Sequence, residues 1–407
     1  MAVTLMPLVS EPRRTIDAGD FYDASSPTCG IADAIAALPP SGGRVRIPAG
    51  TYVITQSIYV PSRVSLVGEG PATVLTIRPL KVGWLAKSAR VGAKTITLKK
   101  KPPFRPGEAV GLTDDRMIGW WGTHGVVEKV DGNRVTLDVP VNRGLRLDRK
   151  PRVVSLFPAI TSVKESDIEI SDLTVQGPPG YKGPWWDFTY TGIHINECQR
   201  VRIHHCNLIG WPSDGIGVQR GSDVQVTQCQ SHDCRGHGFH PGTGIARSVW
   251  SHNIGKGNGA DGFFFCARVH HSVCSDSVFS ENGRHGIGGV ADAGDHHDII
   301  SNNVCSYNAR SGIDAHRGKE QVITGNLLLS NSQEEPGAWP GIRMDDLTHT
   351  MVQGNRCADD QKKPTQLQGI VESGESDHNL ISGNHCVGMK EGIRVVGRES
   401  RAEGNLT

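Results

Sequence analysis

A glycine followed by an aliphatic residue or phenylalanine returns nine times at near-regular intervals: Gly192-Ile193, Gly215-Ile216, Gly238-Phe239, Gly262-Phe263, Gly286-Ile287, Gly312-Ile313, Gly341-Ile342, Gly369-Ile370 and Gly392-Ile393. The steps between them are 23, 23, 24, 24, 26, 29, 28 and 23 residues. A second register of polar residues follows in phase: Asn207, Gln230, Asn253, Ser277, Asn303, Asn326, Asn355, Asn384 and Asn405. Between the two registers lie short runs such as GIHIN, VRIHH, DVQVTQ and QVITGN, which alternate apolar and polar residues with the period of a strand. A unit of about 24 residues holding three short strands cannot cover its own apolar face. Successive units must therefore stack at about 4.8 Å per turn and share one core. The fold class expected is all-β: a single-stranded right-handed parallel β-helix, with the recurring asparagines stacked inside it as an amide ladder.

Composition agrees. The 50 glycines among 407 residues favour tight corners over long helices. Nine of the ten cysteines, Cys198 to Cys386, fall within the repeats and read mostly as small buried residues, with a disulfide or two left open and no metal-finger spacing. Upstream, Ile31–Leu38 is expected to be a short amphipathic helix capping the open end of the solenoid. From about Val82 to Pro158 the period breaks. There KTITLKK, GVVEKV and RVTLDVP read as antiparallel strands, with Asp131-Gly132 as a hairpin turn. The expected organisation is residues 1–81 as cap and first turns, 82–158 as an inserted antiparallel β subdomain, and 159–407 as the main helix.

With 43 Lys+Arg against 42 Asp+Glu the net charge is +1, so no global field points to nucleic acid or a membrane surface. No stretch approaches the ~18 apolar residues of a membrane span. Met1–Ser10 lacks the basic start and apolar length of a secretory signal. The chain is thus expected to be either cytoplasmic or, if a signal was trimmed, extracellular or periplasmic.

Side chains at equivalent positions of successive turns line up in outward columns. Just before each repeat glycine stand Thr191, Asp214, His237, Asp261, His285 and Ser311. Two positions after it stand His194, Gly217, His240, Phe264, Gly288, Asp314, Arg343, Val371 and Arg394, and four after it Asn196, Gln219, Gly242, Cys266, Val290, His316, Asp345 and Ser373. Sixteen of the 17 histidines lie between His194 and His385. Alternating acids and imidazoles this close shift one another's pKa. The set His194, His237, His240, Arg284, His285, Asp314, His316, Arg317, Arg343 and Asp345 is expected to line a groove, with Gly217, Gly242, Gly288 and Gly289 leaving a trough for a linear polysaccharide. Trp185 and Trp186, in an aromatic loop from Gly177 to Tyr190, would either stack on sugar faces or pack down as a plug, as would Trp120-Trp121. Asp292-Ala-Gly-Asp295-His-His297 matches a hard-cation loop only in composition, so no residue is assigned to a metal and calcium is left open.

The stretch Asn258-Gly-Ala-Asp-Gly-Phe263, Asn282-Gly-Arg-His-Gly-Ile287, Asn302-Asn303, Tyr307-Asn308 and Arg317-Gly318 resembles the catalytic module of the bacterial mannuronan C5-epimerases, within the pectate-lyase-like superfamily. That family carries its catalytic tyrosine, aspartate and histidine in a Tyr-Gly-Phe-Asp-Pro-His-Glu run. Here the run is His237-Gly-Phe-His-Pro-Gly-Thr243, so those positions hold His237, His240 and Gly242, while Arg284 and His285 match the family's arginine and the histidine after it. The resemblance implies C5 proton abstraction from a uronate, giving epimerisation or β-elimination, the missing tyrosine favouring elimination. Arg284 with His285 would neutralise the carboxylate, and His237 or His240 would be the base. The chemistry requires no cofactor. An inverting glycoside hydrolase of polygalacturonase type using Asp214 and Asp261 is the alternative, and a non-catalytic carbohydrate-binding solenoid a third reading.

Overall fold

The computed structural model describes residues 14–116, 122–184, 186, 188–290 and 294–407. It is a parallel β-helix of three sheets with 13, 11 and 10 strands, from which a six-stranded antiparallel sheet branches. The nine repeat glycines stand at the start of nine of the eleven strands of one sheet. The apolar residue after each points inward in register, Ile193 on Ile216 on Phe239 on Phe263 on Ile287 on Ile313 on Ile342 on Ile370, and all eight are fully buried. Glycine is required just before them because the next turn passes close: a Cβ on Gly238 would lie 2.5 Å from the carbonyl oxygen of Gly262.

The amide ladder forms, shifted at one end. Asn303, Asn326, Asn355, Asn384 and Asn405 each pass a side-chain hydrogen bond to the next, at 2.9–3.1 Å. Asn207 and Gln230 do not join it. They pair as outward strand residues, and the ladder positions of those turns hold Cys206 and Cys229, the latter receiving Asn253 Oδ1 on its amide. A second ladder runs Asn258, Asn282, Asn308, Asn331, Gln366. Its asparagines stand three residues before Asp261, His285 and Ser311, and so fix the corner from which those side chains project. All ten cysteines are free thiols.

Another corner is a single left-handed residue, from Asp172 through His205, Gln228, His252, Asp276 and Asn302 to Gly325, with φ between 51° and 67°. His271, His297, His349 and His378 occupy a comparable column, with φ 52–58°. Histidine is among the residues enriched in that conformation, which accounts for part of the histidine clustering.

The N-terminal helix spans only Ile31–Ala36. A helical cap is not evident: the 13-stranded sheet ends in the strand Thr15–Asp17, paired with Gly43–Arg46. The antiparallel sheet spans Val82 to Val154, turns at Gly132-Asn133 between Asp131 and Arg134, and has its own core around Leu98, Leu112, Val135 and Val153.

Candidate active site

Strand pairing sets His194, Gly217 and His240 on consecutive turns, then Phe264 beside Gly288, and Asp314 beside Arg343. The corner column sits next to this one, so each carboxylate reaches across a turn. Asp214 accepts the His237 amide on Oδ1 at 2.8 Å and meets His240 Nδ1 with Oδ2 at 2.7 Å. One step on, Asp261 accepts the His285 amide at 2.8 Å, while its Oδ2 lies 3.1 Å from His237 Nδ1 and 3.6 Å from the Arg284 guanidinium. Asp314 then binds Arg343 at 2.9 Å and His316 Nδ1 at 3.1 Å, with His285 Nε2 at 3.9 Å. Arg343 continues to Asp345, which Ser373 also donates to.

These environments give the groups different charges. Burial pulls the His240 imidazole down, but the Asp214 carboxylate outweighs it, and with Cys266 beside it the group is pushed up to about 9. His240 is therefore an imidazolium at neutral pH. Beyond Asp214, its other partner is the Cys266 sulfur, whose thiol the imidazolium brings down in turn. Burial would raise Asp261, yet His237, His285 and Arg284 bring it down to about 2, and Asp214 is lowered in the same way by His237 and His240. Asp314 is likewise held below the usual carboxylate range. His285 is lowered by burial and stays neutral, with Nδ1 unpartnered. His194 is pulled down to about 3 by burial, with His124 and His240 adding to it.

The expected open trough is absent over this row, because none of Asp214, His237, His240, Asp261, His285 and Asp314 is more than 3% exposed. Phe264 stacks on His237 at 4.3 Å and meets His240 edge-on at 5.2 Å. Phe188 covers His240 at 5.5 Å, and Trp339 covers His285 at 5.6 Å with Arg310 above it. Nor do the glycines leave room. The space beside Gly242 is filled by the Gln219 amide and that beside Gly288 by the Asp261 carboxylate. At Gly289, with φ 68°, the strand bulges, so Val290 pairs with Ala315 and turns inward instead of standing in line with His316.

The antiparallel sheet helps hold this roof. Tyr190 lies so close to the strand Ala109–Thr113 that a Cβ on Gly111 would be 2.2 Å from its ring. His124 packs at a tilt against Tyr190 at 4.6 Å and reaches Thr189 Oγ1 at 3.0 Å. The turn Phe188–Tyr190 is thereby clamped above His240.

Other expected residues part company from this row. His194 instead lines a cleft of about 910 Å³ between the antiparallel sheet and the helix, with Tyr59, Thr161, Asn196 and Arg220 around it. Trp186 packs down as a plug, buried against Tyr190 and under Arg152. Arg317 is exposed at a left-handed corner. Trp185, Trp120, Trp121 and Asp292 lie outside the described residues. Sequence reading missed Phe264, Trp339 and Cys266 as site neighbours. Phe264 was visible as the one aromatic residue in a polar column, and Trp339 lies within the stretched 29-residue interval between Gly312 and Gly341.

The family model described as right handed beta helix region matches residues 159–289 and 191–339. The preneck appendage protein of Bacillus phage PZA is 24% identical over 238 residues, which are 56% of this chain and 25% of that protein, so the chain spans about a quarter of the length of this curated relative. Among solved structures, the A-module of the Azotobacter vinelandii mannuronan C-5 epimerase AlgE4 superposes with a TM-score of 0.57 at 16% identity, covering 96% of this chain and 100% of the other. A hyperthermoactive exopolygalacturonase from Thermotoga maritima gives a TM-score of 0.50 at 10% identity, over 98% and 92% of the two chains. The chain is a right-handed parallel β-helix.

Proposed function

We propose that this β-helix is a carbohydrate-active enzyme that takes the C5 proton from a uronate in an acidic linear polysaccharide, with β-elimination favoured over epimerisation. The observation that carries the reading is the His240–Asp214 pair, a buried imidazolium beside His237 at 5.3 Å between ring centres. The fold likeness to a mannuronan epimerase module supports the substrate class.

Because His240 is held protonated, it serves as the acid and His237, anchored on Asp261, as the base. His237 removes the C5 proton. The electron pair then forms the C4=C5 bond as the C4–O4 bond breaks, and O4 takes its proton from His240; delivery of the His240 proton to the opposite face of C5, with the C4–O4 bond intact, would give the epimer instead. Arg284 neutralises the uronate carboxylate. Substrate entry requires the turn Phe188–Tyr190 to move aside. No cofactor takes part, and calcium is a variable to be tested with a chelator. A substrate of this kind, with the appendage relative, supports a location outside the cell or on a virion. Among the described residues no helix is long and apolar enough to cross a membrane.

Two other readings are separable. An inverting hydrolase needs one carboxyl protonated near neutral pH, and both Asp214 and Asp261 are held as carboxylates, which weighs against it. A non-catalytic carbohydrate-binding solenoid is favoured by the roof of Phe188, Phe264 and Trp339. The test is incubation with alginate, pectate and glucuronan in D2O, reading C5 deuteration, the ultraviolet absorbance of unsaturated uronate, and reducing ends. Exchange with absorbance, lost in His237→Ala and His240→Ala, is expected. Reducing ends alone would favour hydrolysis, and polymer binding unchanged in both variants without exchange would favour the solenoid.

A further inference from the structure

The corner that follows the groove strand carries two histidine pairs on adjacent turns, His270-His271 and His296-His297, which the chemistry above does not use. Strand register places His270 beside His296. Their rings stack at 5.0 Å and 10°, and those of His271 and His297 at 5.1 Å and 8°, so the four form a two-by-two array. Within each pair the Nδ1 atoms face one another, at 2.9 Å in the first and 2.7 Å in the second. Two ring nitrogens that close share a single proton, so at least one imidazole of each pair is neutral with a lone pair available. One ring nitrogen from each of His271, His296 and His297 lies within 4.8 Å of the other two. His297 Nε2 is also 3.4 Å from the Glu320 carboxylate of the next turn, the arrangement that orients a ligating imidazole and fixes its tautomer.

We propose that His271, His296 and His297 form a binding site for a borderline first-row divalent cation such as Zn2+ or Cu2+, spanning two turns of the helix. Three imidazoles with no carboxylate in the first sphere suit these ions, whereas Ca2+ and Mg2+ take oxygen ligands. A tetrahedral ion sets its nitrogens about 3.3 Å apart, from metal–nitrogen distances of about 2.0–2.1 Å. The ion replaces the shared proton between His296 and His297, which passes to His296 Nε2 as that ring changes tautomer: His297 keeps its proton on Nε2 toward Glu320, both Nδ1 atoms bind, and none is released from a neutral pair. Asp295, one of the two carboxylates that gave this stretch its hard-cation composition, is buried and accepts the Val269 amide.

Titration of the untagged full chain with Zn2+, and separately with Ca2+, by calorimetry tests the site, together with nitrogen hyperfine structure in the Cu2+ electron paramagnetic resonance spectrum. The expected result is one Zn2+ per chain, no Ca2+ heat, about three coupled nitrogens, and at least a tenfold loss of affinity in His271→Ala and His297→Ala but not in His378→Ala, a corner histidine in the same conformation. Circular dichroism verifies that each variant folds. Absence of Zn2+ binding, equal binding of Ca2+, or unchanged affinity in both site variants would overturn the proposal.

Discussion

Two columns of polar residues run along this molecule at the same pitch and end differently. In the amide ladder every side chain is both donor and acceptor, so Asn326 gives its N–H to Asn355 and takes one from Asn303, and nothing is left over. In the Asp/His row each member is chemically unlike the next. Asp214 takes a proton-bearing partner in His240 and raises it, while the same repeat leaves His285 neutral with a buried nitrogen that has no partner. A ladder of identical groups satisfies itself and stabilises; a row of unlike groups fixes charges and leaves atoms free to meet something else.

The largest expected effect comes from breaking the charged row. Asp214→Ala leaves a buried imidazole without its counter-charge and should cost about 3–5 kcal/mol at pH 6 by chemical denaturation. His240 should also fall from about 9 to below its ordinary value in an NMR titration. Since the folded pKa is raised, the pair's contribution is complete below about 6.5 and is lost as pH rises through about 9. A wild-type advantage that stays constant from pH 6 to pH 10 would break the contrast between row and ladder.

Interrupting the amide ladder should cost somewhat less. Asn326→Ala removes hydrogen bonds to Asn355 and the Ile300 carbonyl and leaves the Asn303 amide unpaired, for about 3 kcal/mol in the same assay, with no pH dependence between 6 and 10.

A third variant turns one kind of column into the other. Asp298 stands in a neutral inward series with Ser272 and Gln321, where burial pushes it up to about 7 and Oδ2 has no partner. Its folded pKa lies above the unfolded value, so it destabilises increasingly as pH rises from about 4 to about 7. Asp298→Asn should therefore stabilise by about 2 kcal/mol at pH 8 and leave stability unchanged at pH 4; a loss at pH 8 would show that the carboxylate is doing something else. The smallest effect is expected at Cys229, where the thiol donates to the Thr227 carbonyl at the end of the amide series. Cys229→Ser keeps a donor there and should shift stability by less than about 1 kcal/mol in a thermal melt.

The repeat glycines, the inward Ile/Phe column and most of the amide ladder were legible in the sequence because each is imposed by a contact between equivalent positions one turn apart. Asn207 and Gln230 were misplaced by one residue, since polar character alone does not say which side of a strand a side chain takes. The groove failed for a related reason. Outward columns are read correctly as columns, but whether they stay open depends on Phe264 within the column and on Phe188 and Trp339, which arrive from loops of irregular length. The bulge at Gly289 was equally invisible to counting.

The sequence by itself thus determined the solenoid, its pitch, and the adjacency of Asp214, His237, His240, Asp261, His285 and Asp314, because a repeat encodes its own neighbours. Only the tertiary structure decided which imidazole is charged, what roofs the row, and that the antiparallel sheet clamps that roof through Tyr190 and His124. Those outcomes depend on burial and on contacts between segments with no common period, where hydrogen-bond geometry and desolvation, acting in three dimensions, set the result.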